Sequence, residues 1–188
     1  MSKPRRYFFP KHYADVVQRL RVPLGFALVA AFALLANPTK SSLTIGLPVA
    51  LIGIAIRAWA AGHLVKNQQL AMSGPYAFVR NPLYIGTLIA AAGFVIATHE
   101  AWLALLFGFA FALIYLPAIE LEEQHLRKIF QEYEWYADHV PMLLPRIPPI
   151  HADGQFRFAI YRKNQEYQAL IGFAVGAAFL VWRMWSGA

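Results

Sequence analysis

The sequence predicts an all-α fold: a polytopic membrane helical bundle of about five transmembrane helices, with the third and fourth folded as a tight hairpin. Three observations carry this. Of the 188 residues 59% are hydrophobic, against roughly 45–50% in ordinary soluble domains. Only 14% are charged, against about 25%. The apolar residues also gather into five stretches. A soluble chain of this length could not hide that much apolar surface, so lipid is its expected solvent. The same figures exclude disorder, collagen-like repeats and coiled coil.

The first stretch, Val22–Ala36, follows a basic arm (1–21). No small-residue cleavage pattern closes it, so it reads as a retained span and not a removed signal. The second, Leu43–Gly62, is interrupted only by Arg57, whose place near the helix end favours snorkelling. Leu83–Thr98 and Ala101–Ile119 are separated only by His99 and Glu100. Together they would run about 56 Å as helix, two crossings of a ~30 Å hydrocarbon core. That makes the hairpin. The fifth stretch, Ala169–Val181, is short but flanked by Tyr167, Trp182 and Trp185, aromatics suited to an interface. It either spans with tilt or lies in the interface. Gly172 and Gly176 give it a small-residue face expected to pack within the bundle, favouring a monomer. The chain reads as one membrane domain over 1–188. Segment 22–64 holds the first two spans, 65–146 the core and 147–188 a C-terminal extension. The proline-rich Leu143–Gly154, with Pro145, Pro148 and Pro149, marks the internal boundary.

The net charge is +7, and fourteen of the seventeen Lys and Arg fall in the arm, the second loop and the fourth loop. Five spans put all three segments on one side, which the positive-inside rule makes cytoplasmic. In so apolar a chain this charge points to an anionic leaflet and not to nucleic acid. There is no Cys, hence no disulfide, thiolate zinc site or Cys nucleophile. The six His lack metal-ligand spacing, so no metal is expected.

Two constellations carry the chemistry. In Ser73–Gly86, Gly74-Pro75 makes a turn and Asn81-Pro82 begins a helix, with Asn suited to the N-cap and Pro to the first position. Tyr76 and Tyr84 are either interfacial anchors or part of a site. The unpaired N–H groups of the helix start, beside Arg80, form a corner able to hold an anion. The second constellation is Glu120-Leu121-Glu122-Glu123, followed by His125 and Leu126. Either the fourth helix ends there, or it continues with Glu123 and Arg127 paired and Leu126, Phe130, Tyr133 and Tyr136 forming an apolar stripe. Pro117 should kink this helix. The hairpin brings both constellations to the same end of two packed helices.

These residues resemble a known family. Gly74-Pro75-Tyr76 and Arg80-Asn81-Pro82-Leu83-Tyr84-Ile85-Gly86 are similar to the GPY…RHPxYxG signature of the isoprenylcysteine carboxyl methyltransferases, shared by the broader phospholipid methyltransferase group. Glu122-Glu123, Leu126, Phe130, Tyr133, Tyr136 and Val140-Pro141…Leu143-Leu144-Pro145 continue the match over roughly residues 65–146. The resemblance implies S-adenosylmethionine-dependent methyl transfer at the cytoplasmic membrane surface, with S-adenosylhomocysteine as product. Carried over position by position, it implies that Gln68, Gln69, Leu70, Ala71, Tyr76, Asn81, Pro82, Leu83, Tyr84 and Glu122 hold the donor. The sequence departs from the pattern at Asn81, where the family has His, and at Gln131 and Met142. It also carries Leu116-Pro117-Ala118 where an Arg implicated in substrate binding stands in the eukaryotic enzymes.

An acceptor carboxylate, with a pKa near ~3.5, is already ionised at neutral pH and needs a cationic orienter but no base. Arg80 is the expected orienter. A phospholipid amine would need to lose a proton, a role for Glu123. Carboxyl O-methylation of an isoprenylcysteine-type substrate is therefore the first expectation, and phospholipid head-group N-methylation the second. The expected partners are membrane lipids and a lipophilic or lipidated substrate entering laterally. A transporter or structural subunit would place charges at mid-membrane, where only Arg57 is found.

Overall fold

The computed structural model describes residues 8–147 and 149–187. Lys3, Arg5 and Arg6 of the basic arm and Pro148 of the proline run lie outside them. The described residues are all-helical. They comprise α1 (Lys11–Leu35), α2 (Lys40–Ala61), α3 (Pro82–Thr98), α4 (Ala101–Ala110), α5 (Leu116–Ile129), α6 (Tyr133–His139), α7 (Phe158–Lys163) and α8 (Tyr167–Ser186), with a 3-10 turn at Gly74–Ala77. All five expected apolar stretches are helical. Three helices are long and apolar enough to cross a membrane: α2, the continuous 29-residue Ala101–Ile129 and α8. Pro23–Leu35 and Pro82–Thr98 are shorter apolar helices. Phe26, Val29, Ile45, Ile52, Trp102, Phe109, Val175 and Trp182 stand exposed on the outer faces, as expected where lipid is the neighbour.

The hairpin turns at His99 and Glu100, with His99 in the left-handed region (φ 57°) closing α3. The tightest packing lies elsewhere, between α2 and α3. Gly46, Ala50, Gly53 and Arg57 on α2 meet Ala97, Gly93, Ala90 and Gly86 on α3. A Cβ on Gly53 would lie 2.3 Å from the Ala90 nitrogen, and one on Gly93 2.2 Å from the Ala50 nitrogen. Backbones this close leave no room for side chains, so the small residues at matching intervals are what permit the contact. In α8, Gly176 packs against Phe94, but Gly172 has nothing within 4 Å of its Cβ position. Only half of that expected small-residue face is used inside the bundle.

Where Pro117 was expected to kink the fourth helix, a π turn (Phe111–Tyr115) joins α4 to α5, and the Leu116 N–H reaches back to the Phe111 carbonyl. Proline has no N–H, so the Leu113 carbonyl, four residues earlier, loses its helical donor. The Tyr13 hydroxyl on α1 donates to it at 2.7 Å. At the far end of the bundle a Thr39–Ser42 capping box starts α2, and Ser42 Oγ donates to the Ala97 carbonyl at 2.9 Å. The Arg183 guanidinium on α8 donates to the last carbonyls of α1, Ala33 and Leu34.

Two predictions follow from this packing. Gly93→Leu should destabilise the bundle by about 3 kcal/mol, because overpacking a closed backbone contact forces the helices apart. Gly172→Leu should leave the melting temperature in detergent nearly unchanged, and the two melts measured side by side check the assignment. Tyr13→Phe should cost about 1–3 kcal/mol by leaving the Leu113 carbonyl unsatisfied, read from the same melts.

Candidate active site

Segment 62–81 folds over one end of the α2–α3 pair. Gly74 begins its 3-10 turn at φ +59°, and a Cβ there would lie 2.6 Å from His63 Nε2, so the position suits glycine on two counts. His63 Nδ1 and Ser73 Oγ are 3.0 Å apart. Burial lowers the His63 pKa below its ordinary value. The run after α6 straps along the same segment: the N–H groups of Arg80, Arg146 and Ile150 donate to the carbonyls of Pro141, Phe78 and Ala77. The expected stripe assembles here, although not on one helix. The helix ends at Ile129, with Phe130 extended, and α6 restarts at Tyr133. Leu126 and Phe130 then pack with Leu70, Tyr133, Tyr136 and Val140 into one core.

The three carboxylates after α4 have three different tasks. Glu120 accepts from the Phe8 and Phe9 N–H groups at 2.6 and 3.1 Å. The Glu122 carboxylate faces a cavity and accepts from the Tyr84 hydroxyl at 3.2 Å. Glu123 is buried and paired with Arg80, at 2.9 Å from Nε and 3.1 Å from Nη2. Arg80 Nη1 donates to the carbonyls of Ala137 (2.6 Å) and Val140 (2.9 Å). The two side chains proposed for acceptor chemistry are therefore spent on each other, about nine-tenths buried. Their pairing ties the start of α3 to α5 and α6. The Glu123–Arg127 pair expected within the helix is replaced as well, since Arg127 pairs with Glu134 at 2.5 Å.

Asn81 precedes α3, and Pro82 occupies its first position as expected, but the Asn81 side chain caps nothing. Its amide donates to Glu123 Oε1 (3.3 Å) and the Met142 carbonyl (3.2 Å). A cap would use the side-chain oxygen as acceptor for helix N–H groups; here the side chain is instead oriented by its NH2 group, whose bond to the buried carboxylate is charge-assisted.

A cavity of about 420 Å³ opens between segment 64–71, the start of α3, α5 and the start of α8. Gln69, Leu70, Ala71, Tyr76, Asn81, Pro82, Leu83, Tyr84 and Glu122 line it, together with Arg80. Gln68 is exposed and does not line it; Glu123 lies behind the wall. Sequence reasoning missed Arg57, Thr87 and Glu166, which also line it. Arg57 was visible as the one charge within an apolar stretch. Glu166 carried no local signal, since only the return of the extension brings it there. A second cavity of about 510 Å³ shares the wall Val65, Gln69, Leu70 and Ala71. Among the described residues no three His, Asp or Glu converge as metal ligands.

Within the first cavity the Tyr76 hydroxyl is buried and has no hydrogen-bond partner. Burial is the main cause holding its pKa well above 10, with Tyr136 and the Glu122 and Glu166 carboxylates adding to it and Arg57 opposing. Tyr136, whose hydroxyl donates to the Tyr76 carbonyl at 2.8 Å, and Tyr133 are raised by burial too. Tyr76, with an unsatisfied buried hydroxyl, and Glu122, with a cavity-facing carboxylate, thus share one cavity wall. The residues present fit a donor that carries hydroxyl, amino and carboxyl groups.

Helices long and apolar enough to cross a membrane, with a polar cavity at one end of the bundle, define the class: a helical membrane protein with a cavity beside its spans. The phospholipid methyltransferase family profile matches residues 49–133, which contain α3, the π turn and all three carboxylates. This segment belongs to that family, and the resemblance read from the motifs holds. The chain is 28% identical over 144 residues to the protein-S-isoprenylcysteine O-methyltransferase of Schizosaccharomyces pombe (73% of this chain, 61% of the relative). It is 33% identical over 107 residues to the cobalt-zinc-cadmium resistance protein CzcN of Cupriavidus metallidurans (56% and 50%). It is 29% identical over 143 residues to the nickel-cobalt-cadmium resistance protein NccN of Alcaligenes xylosoxydans xylosoxydans (74% and 62%). The chain thus spans between half and two thirds of the length of these relatives. No solved structure matches it.

Two predictions follow from the site. Glu123→Ala should cost about 3–5 kcal/mol by stranding a buried guanidinium, and Arg80→Lys should also destabilise, since an ammonium cannot reproduce the fork; thermal melts in detergent measure both. The three buried tyrosines have folded-state pKa values above the unfolded value near 10. Their contribution to stability is complete below pH ~10 and is lost as pH rises through the folded values. Tyrosinate absorbance should show these three ionising after the exposed tyrosines.

Proposed function

We propose that the protein is a methyltransferase that uses S-adenosylmethionine and methylates a lipophilic acceptor at the cytoplasmic membrane surface. Its first-choice reaction is carboxyl O-methylation of an isoprenylcysteine-type substrate. The observation that carries this reading is one cavity that gathers nine of the ten donor-binding residues implied by the motifs and leaves the Tyr76 hydroxyl without a partner. When bound, the donor supplies an electrophilic methyl group on a sulfonium. The protein's task is to orient the reactants and to exclude water.

In this reading Tyr76 and Glu122 hold the donor's polar groups, with Tyr84 steadying the Glu122 carboxylate. Leu70, Leu126 and Phe130 line the cavity with apolar surface. Arg80 and Glu123 are positioning residues that hold the α3 corner against α5, not groups that touch the acceptor. A lipid tail reaches the cavity from between the helices. The cationic loops set the cytoplasmic side, as they hold fourteen of the seventeen Lys and Arg.

The family description favours head-group N-methylation as the second reading. An amine must lose its proton before attack, and Glu122 is the carboxylate facing the cavity from α5. Transfer of radiolabelled methyl to a farnesylcysteine analogue, compared with transfer to phosphatidylethanolamine, separates the two. Label on the carboxyl confirms the first, label on the amine the second, and label on neither removes both. Glu122→Ala should weaken S-adenosylmethionine binding about tenfold by calorimetry, the value of one charge-assisted contact. Unchanged affinity in a folded variant would take Glu122 out of the donor site.

A further inference from the structure

The cavity holds an ion pair of which the matched family segment supplies one partner, Arg57, and the C-terminal extension the other. Arg57 on α2 meets Glu166, which opens α8 in the C-terminal extension. Glu166 Oε1 lies 2.8 Å from Nη2, and Oε2 lies 2.9 Å from Nη2 and 3.1 Å from Nε. The opposite edge of the guanidinium is held separately: Nη1 donates to Thr87 Oγ1 at 2.5 Å and to the Leu83 carbonyl at 3.3 Å. Gly86 makes room for the stem, since a Cβ there would lie 2.6 Å from Arg57 Cγ. The Nη1 edge of the guanidinium is thus held by α3, and its Nε–Nη2 fork faces a carboxylate delivered by another segment.

We propose that Arg57 is the anion subsite for the acceptor's polar head, and that Glu166 occupies it in the unliganded protein as an internal stand-in. This rests on the methyltransferase reading and names the acceptor's chemistry: a carboxylate or phosphate group attached to a lipid tail. Four features support it. The fork matches a planar carboxylate or a phosphate bidentately. Both partners line the donor cavity and keep partial exposure, 24% and 13%, so an incoming anion can reach them. Arg80, the other guanidinium lining the cavity, is committed to Glu123 and two carbonyls. Glu166 also follows Gln165, a non-glycine residue at φ 58°, a strained position of the kind that gathers at switch segments. Asn164 pins the preceding turn to the Ala61 and Leu64 carbonyls at 2.9 and 2.8 Å, so release needs only the Glu166 side chain to turn.

The test uses the two halves of the pair, for which a structural salt bridge and an internal stand-in predict different signs. Calorimetry on the full chain in detergent would titrate N-acetyl-S-farnesylcysteine, its carboxamide, and a short-chain phosphatidic acid. Arg57→Gln should weaken the anionic probe at least tenfold, and Glu166→Gln should tighten it about threefold or more by removing the competitor. Arg57→Lys should recover only part of the loss. If the pattern appears with phosphatidic acid and not with the farnesyl carboxylate, the subsite stands and its ligand is a phospholipid head group. Weakening by both variants, or carboxamide binding as tight as the acid, overturns the proposal. If Arg57→Gln does not fold, the sign of the Glu166→Gln effect decides by itself. S-adenosylmethionine binding is measured alongside: its absence in the wild type removes the methyltransferase reading, whereas its presence with no anionic probe binding removes only the subsite.

Discussion

A guanidinium taken out of water must have its donors satisfied, and at Arg80 this requirement organises the polar end of the bundle. Its partners come from three places: Glu123 on α5, the Ala137 carbonyl in α6 and the Val140 carbonyl just after it. The same carboxylate takes the Asn81 amide, so the start of α3 is held where α5 leaves the bundle. Removing either charge would strand the other, which makes the arrangement close to all-or-none. Segment 77–80 then gains its second strap from the N–H groups of Arg146 and Ile150. The cavity wall is a by-product of satisfying one buried cation.

The apolar part of the bundle works under a different constraint. Lipid offers no hydrophobic incentive for one helix to touch another, so contact has to come from close packing and backbone complementarity. Three small residues of α2 (Gly46, Ala50 and Gly53) set against Ala97, Gly93 and Ala90 of α3 supply it. Their regular interval ends at Arg57 opposite Gly86, where the stripe of tight contact meets the cavity. One interface therefore both joins the helices and aims a charge at the site. The π turn follows the same logic at smaller scale: a missing proline N–H frees a carbonyl, and a hydroxyl from α1 takes it.

The C-terminal extension completes the cavity from outside the matched segment. Asn164 caps the end of α2 through the Ala61 and Leu64 carbonyls, and the Arg157 N–H reaches the Gly62 carbonyl. With α2 closed in this way, Glu166 is brought to the cavity wall beside Arg57. Glu166 thus reaches the cavity from outside the residues that the family profile matches.

Much was legible from residue order. The five apolar stretches, the Gly74-Pro75 turn, Pro82 opening α3 and the two-residue turn at His99 and Glu100 are local consequences of composition, proline geometry and helix length, which neighbours in sequence suffice to set. The gathering of Tyr76, Tyr84 and Glu122 followed from adding one topological fact, that a hairpin returns to its starting side. The fate of the charges did not follow. Asn81 looked like a cap, Arg80 like a free clamp, Glu123 like the partner of Arg127, and Arg57 like a snorkelling residue. Each outcome depended on a partner 40 or more residues away, or on another helix. Electrostatic pairing at short range is decided by which groups arrive within about 4 Å of each other, and no local pattern encodes that arrival. The sequence by itself determined a helical membrane protein with a polar corner at one end of its hairpin. Only the tertiary structure decided which charges were spent on folding and which faced the cavity, because a buried charge takes the partner that the packing brings to it.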